Sequence, residues 1–247
     1  MVSWMARRGR VVFPPASWAS PDGVLAVGGR PDAETLKEAY SRGVFPWPHE
    51  GLPLLWFCPD PRFVLEPEAA HVSRTLRRQM RRGGFAVRAD TAFAAVIRAC
   101  SAAPRPGQDG TWITRDMIAG YTALHAEGLA HSIEAWQGGE LVGGLYGISL
   151  GAVFFGESMF AHTPDASKVA FATLLANLIR WRFTLVDCQS YTDHLARFGA
   201  VDWPRGRFLA KLREALKAPT RQGRWTLEIG PAAAAELSSK EGRPLVQ

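Results

Sequence analysis

The stretch HSIEAWQGGELVGGLYGISLGAVFFG, residues 131–156, decides the fold. The hydrophobic period changes there from helical to strand-like, and three strand-like segments follow one another, at 131–136, 140–148 and 152–156. The turns between them are short and contain Gly or Ser, which is typical of antiparallel hairpins. We therefore predict a three-stranded antiparallel meander in the centre of the chain.

Helical periodicity flanks this meander on both sides. Three helices are predicted before it: a basic helix capped by Ser73, a helix capped by Asp90 and a helix that ends at Gly128. After it come a long apolar helix, a strand of buried type and a helix that starts near Pro204. This order predicts an α+β fold with a mixed, mainly antiparallel sheet flanked by helices, and it resembles the order of elements in GNAT-like acyltransferases.

The N-terminal quarter of the chain is richer in proline. A short helix is predicted between Asp32, near its start, and Gly43, its C-terminal stop. Five prolines make residues 45–62 mostly irregular, and a domain boundary is expected near Arg62. The expected division of the chain is a small N-terminal domain, 1–62, a GNAT-like catalytic domain, 63–231, and a loosely ordered tail, 232–247.

Composition argues against several classes of protein. The 247 residues are 47% apolar, enough for a substantial core, and no apolar run approaches the roughly 20 residues of a membrane helix. The N-terminal arginines are not followed by the apolar segment of a signal peptide, so a cytoplasmic protein is expected. Cys58, Cys100 and Cys188 are too widely spaced for a zinc site or a disulfide framework, and the six histidines have no metal-ligand spacing.

Positive charge is concentrated in one segment of the chain. The formal net charge is +6, and the segment between Ala69 and Ala89 has six arginines and no acidic residue. Such a basic helix is either a solvated face or a surface that contacts phosphates, and the sequence leaves both interpretations open. The six residues are Arg74, Arg77, Arg78, Arg81, Arg82 and Arg88.

The segment FFGESMF, residues 154–160, has a Gly-x-Ser core after a strand-like run. A nucleophile elbow needs glycine on both sides of its serine, but Phe160 occupies the second glycine position, so Ser158 is expected to be structural. Glu157 is more informative, because a carboxylate among aromatic side chains is costly to bury without a cationic partner. That partner is either internal, with Lys168 as a candidate, or a cation that enters a pocket from outside.

The sequence VDCQ places Asp187 and Gln189 two residues apart on the strand that follows the long helix. Both side chains are therefore expected on one face of the strand. A carboxylate and an amide at a strand end could hold and deprotonate an incoming amine, and the alternative is a satisfied polar pair. Cys188, on the other face, is expected to be a core thiol.

Four aromatic residues lie in proline-rich or loop-like sequence, where packing alone does not demand so many. They are expected either in the core of the N-terminal unit or in the wall of an apolar pocket. These residues are Trp47, Trp56, Phe57 and Trp112.

Ten motifs, in this order between Phe13 and Leu216, resemble those of the leucyl/phenylalanyl-tRNA–protein transferase family. The number and order of the motifs make the resemblance specific. The motifs are FPPASWASPDGVLAVGG, AYSRGVFPWP, LWFCPDPR, GTWIT, AHSIEAW, LVGGLYGI, FFGESMF, ASKVA, LVDCQ and HLARFGA.

The resemblance implies a bacterial, cytoplasmic aminoacyltransferase of the N-degron pathway. Such an enzyme transfers leucine or phenylalanine, and less readily methionine, from aminoacyl-tRNA to the α-amino group of proteins that begin with Arg or Lys. The implied partners are Leu-, Phe- and Met-tRNA and the acceptor proteins, and we expect a monomer with no cofactor, no metal and no membrane contact. An aminoacyl ester is already activated, so the protein needs to position the reactants and accept a proton.

The resemblance also implies roles for individual residues. Asp187 and Gln189 correspond to the pair that orients and activates the acceptor amine, and Glu157 corresponds to the acidic residue of the acceptor-peptide site. On charge grounds, the tRNA acceptor stem is assigned to Arg74, Arg77, Arg78, Arg81 and Arg82. The residues assigned to the aminoacyl-adenosine are Trp47, Trp112, Phe154, Met159 and Leu145, the last in a position where the family often has methionine.

Two other functions are alternatives. A CoA-dependent N-acetyltransferase would share the fold, but residues 156–168, GESMFAHTPDASK, lack the glycine-rich loop that cradles the pyrophosphate in such enzymes. A non-catalytic tRNA-binding module would bind tRNA and form no peptide product.

Overall fold

The computed structural model describes residues 5–7, 10–49, 51–103 and 113–237, with side chains from residue 12 onward. No helix within these ranges is long and apolar enough to cross a bilayer.

The N-terminal part contains a hairpin, a helix and a small sheet. Its elements are β1 Met5–Arg7, β2 Arg10–Val12, β3 Val24–Val27, α1 Ala33–Ser41, β4 Phe45–Pro46 and β5 Leu55–Phe57. The Asp32 side chain caps α1 by accepting a hydrogen bond from the Thr35 N–H at 2.9 Å. The sheet order is β3–β5–β4, so residues 45–62, expected to be mostly irregular, contain strands. Pro46 is tolerated because β4 lies at the sheet edge, where a missing N–H costs little.

Seven strands form the central sheet. They are β6 Arg62–Leu65, β7 Ala86–Ala89, β8 Ala130–Gln137, β9 Glu140–Leu150, β10 Val153–Ala161, β11 Leu185–Gln189 and β12 Val201–Trp203. Their order is β12–β6–β11–β10–β9–β8–β7, and neighbouring pairs are antiparallel except the parallel pair β10 and β11. The predicted α+β class with a mixed, mainly antiparallel sheet is confirmed, and β8–β9–β10 form the predicted meander.

Helices cover both faces of this sheet. They are α2 Arg74–Arg82, α3 Phe93–Ala102, α4 Arg115–Ala126, α5 Ala166–Arg180, α6 Asp193–Ala196, α7 Arg205–Ala215 and α8 Pro231–Leu237. The basic helix α2 begins where predicted, because the Ser73 hydroxyl accepts a hydrogen bond from the Leu76 N–H. Helix α5 is the crossover that parallel strands require, and it joins β10 to β11.

Buried residues form two apolar clusters on opposite faces of the sheet. Phe155 belongs to the cluster with α1, α3, α4 and α7, whereas its neighbour Phe154 belongs to the cluster with α2, α5 and α8. Successive residues of a strand point to opposite faces, so this division follows from β10 itself. Leu25 and Leu36 of the N-terminal part lie in the first cluster. That part therefore packs directly on the sheet that begins with Arg62.

Helix α3 begins differently from the prediction. Asp90, the predicted cap, has a φ of 55° and a buried carboxylate that accepts a hydrogen bond from the Ser132 N–H. The N-cap position is Ala92. The Glu134 carboxylate in β8 accepts the N–H groups of Thr91 and Ala92, each at 2.8 Å. A side chain from a distant strand thus satisfies the unpaired N–H groups in place of a local cap.

The C-terminal segment is helical where a loosely ordered tail was expected over 232–247. Helix α8 packs against α2 and α5, and Ala234 and Ala235 are buried. Small alanine side chains let this helix approach its neighbours closely, so the expectation is wrong for 232–237. Residues 238–247 lie outside the described ranges.

Candidate active site

The parallel strands β10 and β11 separate at one end of the sheet. Their last paired residues are Phe155 and Asp187. Beyond that pair each strand has a β-bulge against its other neighbour, at Glu157 in β10 and at Cys188 in β11. A bulge turns nearby side chains in a new direction and is common beside active sites. The two bulges therefore set the side-chain directions around the gap between the strands.

A cavity of about 540 Å³ opens at this gap. Ligands of open sheets bind beyond the carboxyl ends of parallel strands, and small-molecule sites usually enclose about 300–1,000 Å³. The wall of this cavity comes from β9, β10, β11, α5 and α6 together with the segment at β4. It includes these predicted site residues: Trp47, Leu145, Glu157, Met159, Asp187 and Gln189.

Glu157 is partly buried in this wall and is held by three neutral donors. The Tyr40 hydroxyl donates to Oε1 at 2.6 Å, and the Tyr121 hydroxyl donates to Oε2 at 2.6 Å. The Gln189 amide Nε2 donates to Oε1 at 2.7 Å. The donors come from α1, α4 and β11, so the position of Glu157 depends on contacts across the whole molecule.

The oxygen atoms of this cluster make three short contacts, which need three protons. The Tyr40 and Tyr121 hydroxyl oxygens lie 2.6 Å apart, and each lies 2.6 Å from Glu157. The two hydroxyl hydrogens serve two of these contacts, and the third contact needs a proton on Glu157. In that protonated form one tyrosine accepts from Glu157 and donates to the other tyrosine, which in turn donates to the carboxyl group. Burial, together with the nearby Asp187, raises the pKa of Glu157 from its ordinary 4.5 to about 7, against the effect of the hydrogen bonds that it accepts. Glu157 therefore holds its proton to a higher pH than an ordinary carboxyl group does, and a bound cation would favour the release of that proton.

The internal cation considered for Glu157 is paired elsewhere. The Lys168 Nζ lies 2.6 Å from the Asp165 carboxylate. Within the described ranges no ion pair to Glu157 is found. Of the two partners considered from the sequence, Lys168 is therefore not bound to Glu157 in this structure, and a cation from outside the chain stays an expectation.

Asp187 has the opposite environment. It is fully buried, and its carboxylate accepts two hydrogen bonds from Arg62, from Nε at 2.8 Å and from Nη2 at 2.6 Å. Its Oδ1 also accepts the backbone N–H of Gln189 at 2.9 Å. Gln189 has a φ of 64°, a left-handed conformation, so the simple alternation expected for VDCQ does not hold there. Hydrogen bonds through Gln189 thus link Asp187 to the cluster of Glu157, Tyr40 and Tyr121, which we call the acid cluster.

Facing residues of β9 and β10 form part of the apolar wall. Leu145 and Met159 are cross-strand partners, and both line the cavity. Trp47 also lines the cavity and is partly buried. Phe154 lies in the core behind the wall, with its ring 6.0 Å from that of Trp225.

The remaining aromatic residues divide between core and edge. Trp56 is fully buried, and its Nε1 donates to the Gly28 carbonyl at 2.9 Å, which makes it a core residue of the N-terminal part. Phe57 is partly buried and packs on Trp47 with ring centroids 5.6 Å apart. Trp112 lies outside the described residues.

Two possible nucleophiles also line the cavity, Ser158 and Cys188. Ser158 is partly buried, and the residue after Met159 is Phe160, whose side chain excludes the geometry of a nucleophile elbow. Burial and the neighbouring Asp187 raise the pKa of the Cys188 thiol far above its usual range. The thiol therefore stays protonated and is unsuited to nucleophilic attack.

The basic helix α2 lies against α8. Arg74, Arg78 and Arg82 are exposed, whereas Arg77 is partly buried. Arg81 forms an ion pair with Glu236 of α8, and this acid offsets part of the positive charge of the segment between Ala69 and Ala89. The surface is thus less uniformly positive than the sequence segment indicates.

Three residues of the site were not assigned a role from the sequence. Tyr40 and Tyr121 lie in two of the predicted helices, and a buried tyrosine hydroxyl usually has a hydrogen-bond partner, so a signal was present. Arg62 follows the CPDP segment without any pattern that points to a buried ion pair.

Comparison with known proteins gives two successive family matches. The profile of leucyl/phenylalanyl-tRNA protein transferase matches residues 64–213, and that of its N-terminal domain matches residues 29–60. The leucyl/phenylalanyl-tRNA–protein transferase of Myxococcus xanthus is 60% identical over 215 residues, 87% of this chain and 92% of that protein. Those of Anaeromyxobacter sp. (strain Fw109-5) and Solidesulfovibrio magneticus are 57% identical over 226 residues (91% and 96%) and 50% identical over 233 residues (94% and 94%). The chain belongs to the leucyl/phenylalanyl-tRNA protein transferase family.

This transferase is therefore an aminoacyltransferase. Acyl transfer from an activated donor needs placement of the amine and the carbonyl more than it needs a covalent nucleophile. The cavity of the transferase is lined by apolar side chains together with the carboxyl group of Glu157 and the amide of Gln189. Arg62 lies in the short gap between the two matched segments and contacts both of them, Phe45 in the first and Asp187 in the second.

Proposed function

We propose that this transferase moves leucine or phenylalanine, and less readily methionine, from aminoacyl-tRNA to the α-amino group of proteins that begin with Arg or Lys. The names of the relatives support the donor. The modified protein would be an N-degron, recognised for proteolysis in the bacterial cytoplasm. The enzyme would act as a monomer and without a cofactor.

The observation that carries the choice of acceptor is the position of Glu157 among neutral donors in the cavity wall. A partly buried carboxylate without a cationic partner gains strongly when a cation binds, because charge-assisted hydrogen bonds are about twice as strong as neutral ones. A guanidinium or an ammonium group at an N-terminal residue would replace the proton of the cluster. The site would therefore select Arg or Lys at the first position of the acceptor.

Gln189 would orient the α-amine. Its amide lies 2.7 Å from Glu157, so an N-terminal residue whose side chain binds Glu157 brings its backbone amine close to Gln189. Asp187 would act through Gln189, because its carboxylate is buried and already bonded to Arg62 and to the Gln189 N–H. The neutral amine attacks the ester carbonyl, a C–N bond forms, the C–O bond to the tRNA breaks, and the released 3′ oxygen takes up the proton that the amine loses. In enzymes that join two reactants, positioning of this kind supplies much of the rate enhancement.

The apolar wall would hold the donor. Leu145 and Met159 would contact the Leu or Phe side chain, with Phe154 supporting the wall from behind. Trp47 would stack on the terminal adenosine, as aromatic side chains do with bases, and Trp112 keeps the same assignment from the family resemblance. The exposed arginines of α2 would contact phosphates of the acceptor stem.

A transfer assay tests this proposal. Purified protein is mixed with tRNA charged with labelled leucine and with peptides that differ only in starting with Arg, Lys or Asp. Label should appear on the Arg and Lys peptides and not on the Asp peptide, with the same pattern for Phe-tRNA and a slower one for Met-tRNA. Absence of label on the Arg peptide while the charged tRNA stays intact would refute the proposal.

A further inference from the structure

Arg62 connects three parts of the molecule beneath the cavity. It is fully buried at the start of β6, and its guanidinium carbon lies 4.7 Å from the ring centroid of Phe45 in β4 and 4.5 Å from that of Phe208 in α7. Its Nε and Nη2 bind the two carboxylate oxygens of Asp187. Two aromatic faces and a bidentate contact together fix the plane of the guanidinium and of the carboxylate.

The contacts continue from Asp187 to the acid cluster. Oδ1 of Asp187 accepts the backbone N–H of Gln189, whose φ of 64° is rare for a residue other than glycine. Such a strained conformation persists only where surrounding contacts hold it, and it is common at functional sites. With the backbone held this way, the Gln189 amide reaches Glu157. The direction of the amide thus depends on a carboxylate that Arg62 orients.

A buried ion pair is an inefficient way to stabilise a core. Among the described residues no acceptor bonds the third guanidinium nitrogen, Nη1, which leaves a buried donor without a hydrogen bond. Apolar residues of similar size often stabilise a core as well as a buried pair does. An orienting role accounts for the pair better than a stabilising role does.

We propose that Arg62 is a positioning residue for aminoacyl transfer, which holds Asp187 in the orientation that fixes the Gln189 backbone and aims the Gln189 amide at the acceptor amine. The inference rests on the proposed function. Phe45 also lines the cavity, so the same clamp borders the space where the substrates would meet.

The first test is Arg62→Lys, which keeps the positive charge and loses the bidentate geometry. Because misplacement by about 1 Å can cost about 100-fold in rate, we expect kcat for leucine transfer to fall about 10- to 100-fold. The KM for the Arg peptide should change little, since Glu157 is intact. Arg180→Lys is the matched control, because Arg180 also pairs with a carboxylate, Glu228 at 3.2 Å, but on the surface. A folded Arg62→Lys variant with the wild-type kcat would overturn the proposal.

A double-mutant cycle separates positioning from general damage. If Arg62 acts through Asp187, Arg62→Lys should lower kcat no further once Asp187→Asn is present. An equal fall in both backgrounds would contradict the proposal. Should Arg62→Lys fail to fold, Arg62→Gln combined with Asp187→Asn removes both charges together, and it should match the kcat of Asp187→Asn alone. A lower kcat would count against the proposal.

Amide hydrogen exchange gives a readout that does not depend on activity. The Gln189 N–H is bonded to Asp187, so its exchange should accelerate in Arg62→Lys and stay unchanged in Arg180→Lys. Unchanged Gln189 exchange in Arg62→Lys would overturn the positioning role. A wild-type protein that transfers no leucine would refute the proposed function, and the exchange result would still decide whether Arg62 controls Gln189.

Discussion

Two glutamates of the central sheet, Glu134 in β8 and Glu157 in β10, are both surrounded by hydrogen-bond donors. Glu134 is fully buried and accepts the N–H groups of Thr91 and Ala92 at the start of α3, and the Ser132 hydroxyl at 2.8 Å. Glu157 accepts only side-chain donors and borders the cavity. A buried acid is therefore not in itself a sign of function. We expect a structural role where backbone donors hold the acid, as at Glu134, and the proposed binding role where only side chains hold it beside open space, as at Glu157.

The largest expected effect is on stability, at Glu134. Glu134→Ala removes the acceptor for the first N–H groups of α3 and leaves those donors unsatisfied, so we expect a loss of about 3 kcal/mol in the free energy of unfolding. The folded fraction should transfer leucine at the wild-type rate. Urea denaturation measures the free energy of unfolding, and the transfer assay measures the rate. The control is Glu140→Ala, which changes an exposed glutamate of the next strand. A loss below about 1 kcal/mol would mean that Glu134 is not a structural cap, so it would no longer differ from Glu157 in role.

The effect of Glu157→Gln should appear in binding. Hydrogen bonds to charged groups contribute about 1.5–3 kcal/mol, so the KM of the Arg peptide should rise about 10- to 100-fold. The fold should not weaken at pH 8, because the substitution removes a charge that burial disfavours. The same change at exposed Glu140 is the control. An unchanged KM for the Arg peptide would mean that Glu157 is structural, like Glu134.

These residues also show what could be predicted from the sequence. The meander was predictable because period-two alternation is a local signal. The bulges at Glu157 and Cys188 were not, because a bulge is defined by the register of the neighbouring strand. Arg62 and Asp187 are 125 residues apart in the chain, so only tertiary packing brings them together. The residue types of Asp187 and Gln189 were informative, but only the contacts show that Asp187 is bonded to Arg62 while Gln189 reaches Glu157.

The proton retained by Glu157 predicts a linkage between binding and pH. With a pKa of about 7, Glu157 is half protonated at pH 7, so binding of the Arg peptide should release about half a proton there and more at pH 6. Affinity should rise from pH 6 to pH 8. Calorimetry in buffers of different ionisation enthalpy measures the release, and Glu157→Gln should abolish it. Equal release from both proteins would locate the proton on another group.

The same shift has a consequence of opposite sign for stability. Since the folded pKa lies above the ordinary 4.5, the stabilisation from the proton is complete below pH 4.5 and is lost as the pH rises through about 7. The difference in free energy of unfolding between Glu157→Gln and the wild type should therefore favour the variant most at pH 8 and should fall to zero in acid. Thermal unfolding across this range measures it, and a constant difference would contradict the raised pKa.

The smallest expected effect concerns Lys168. Lys168→Met breaks a half-buried, solvent-accessible pair with Asp165, so stability should change by less than about 1 kcal/mol and the KM of the Arg peptide should stay the same. Lys217→Met, which breaks a pair of the same 2.6 Å length on the surface with Glu214, is the matched control. If Lys168 instead swings to Glu157 in solution, it competes with the acceptor, and its removal would lower the KM of the Arg peptide. Glu157 would then resemble Glu134 in having an internal partner, and its selectivity for a basic N-terminal residue would depend on displacing that partner.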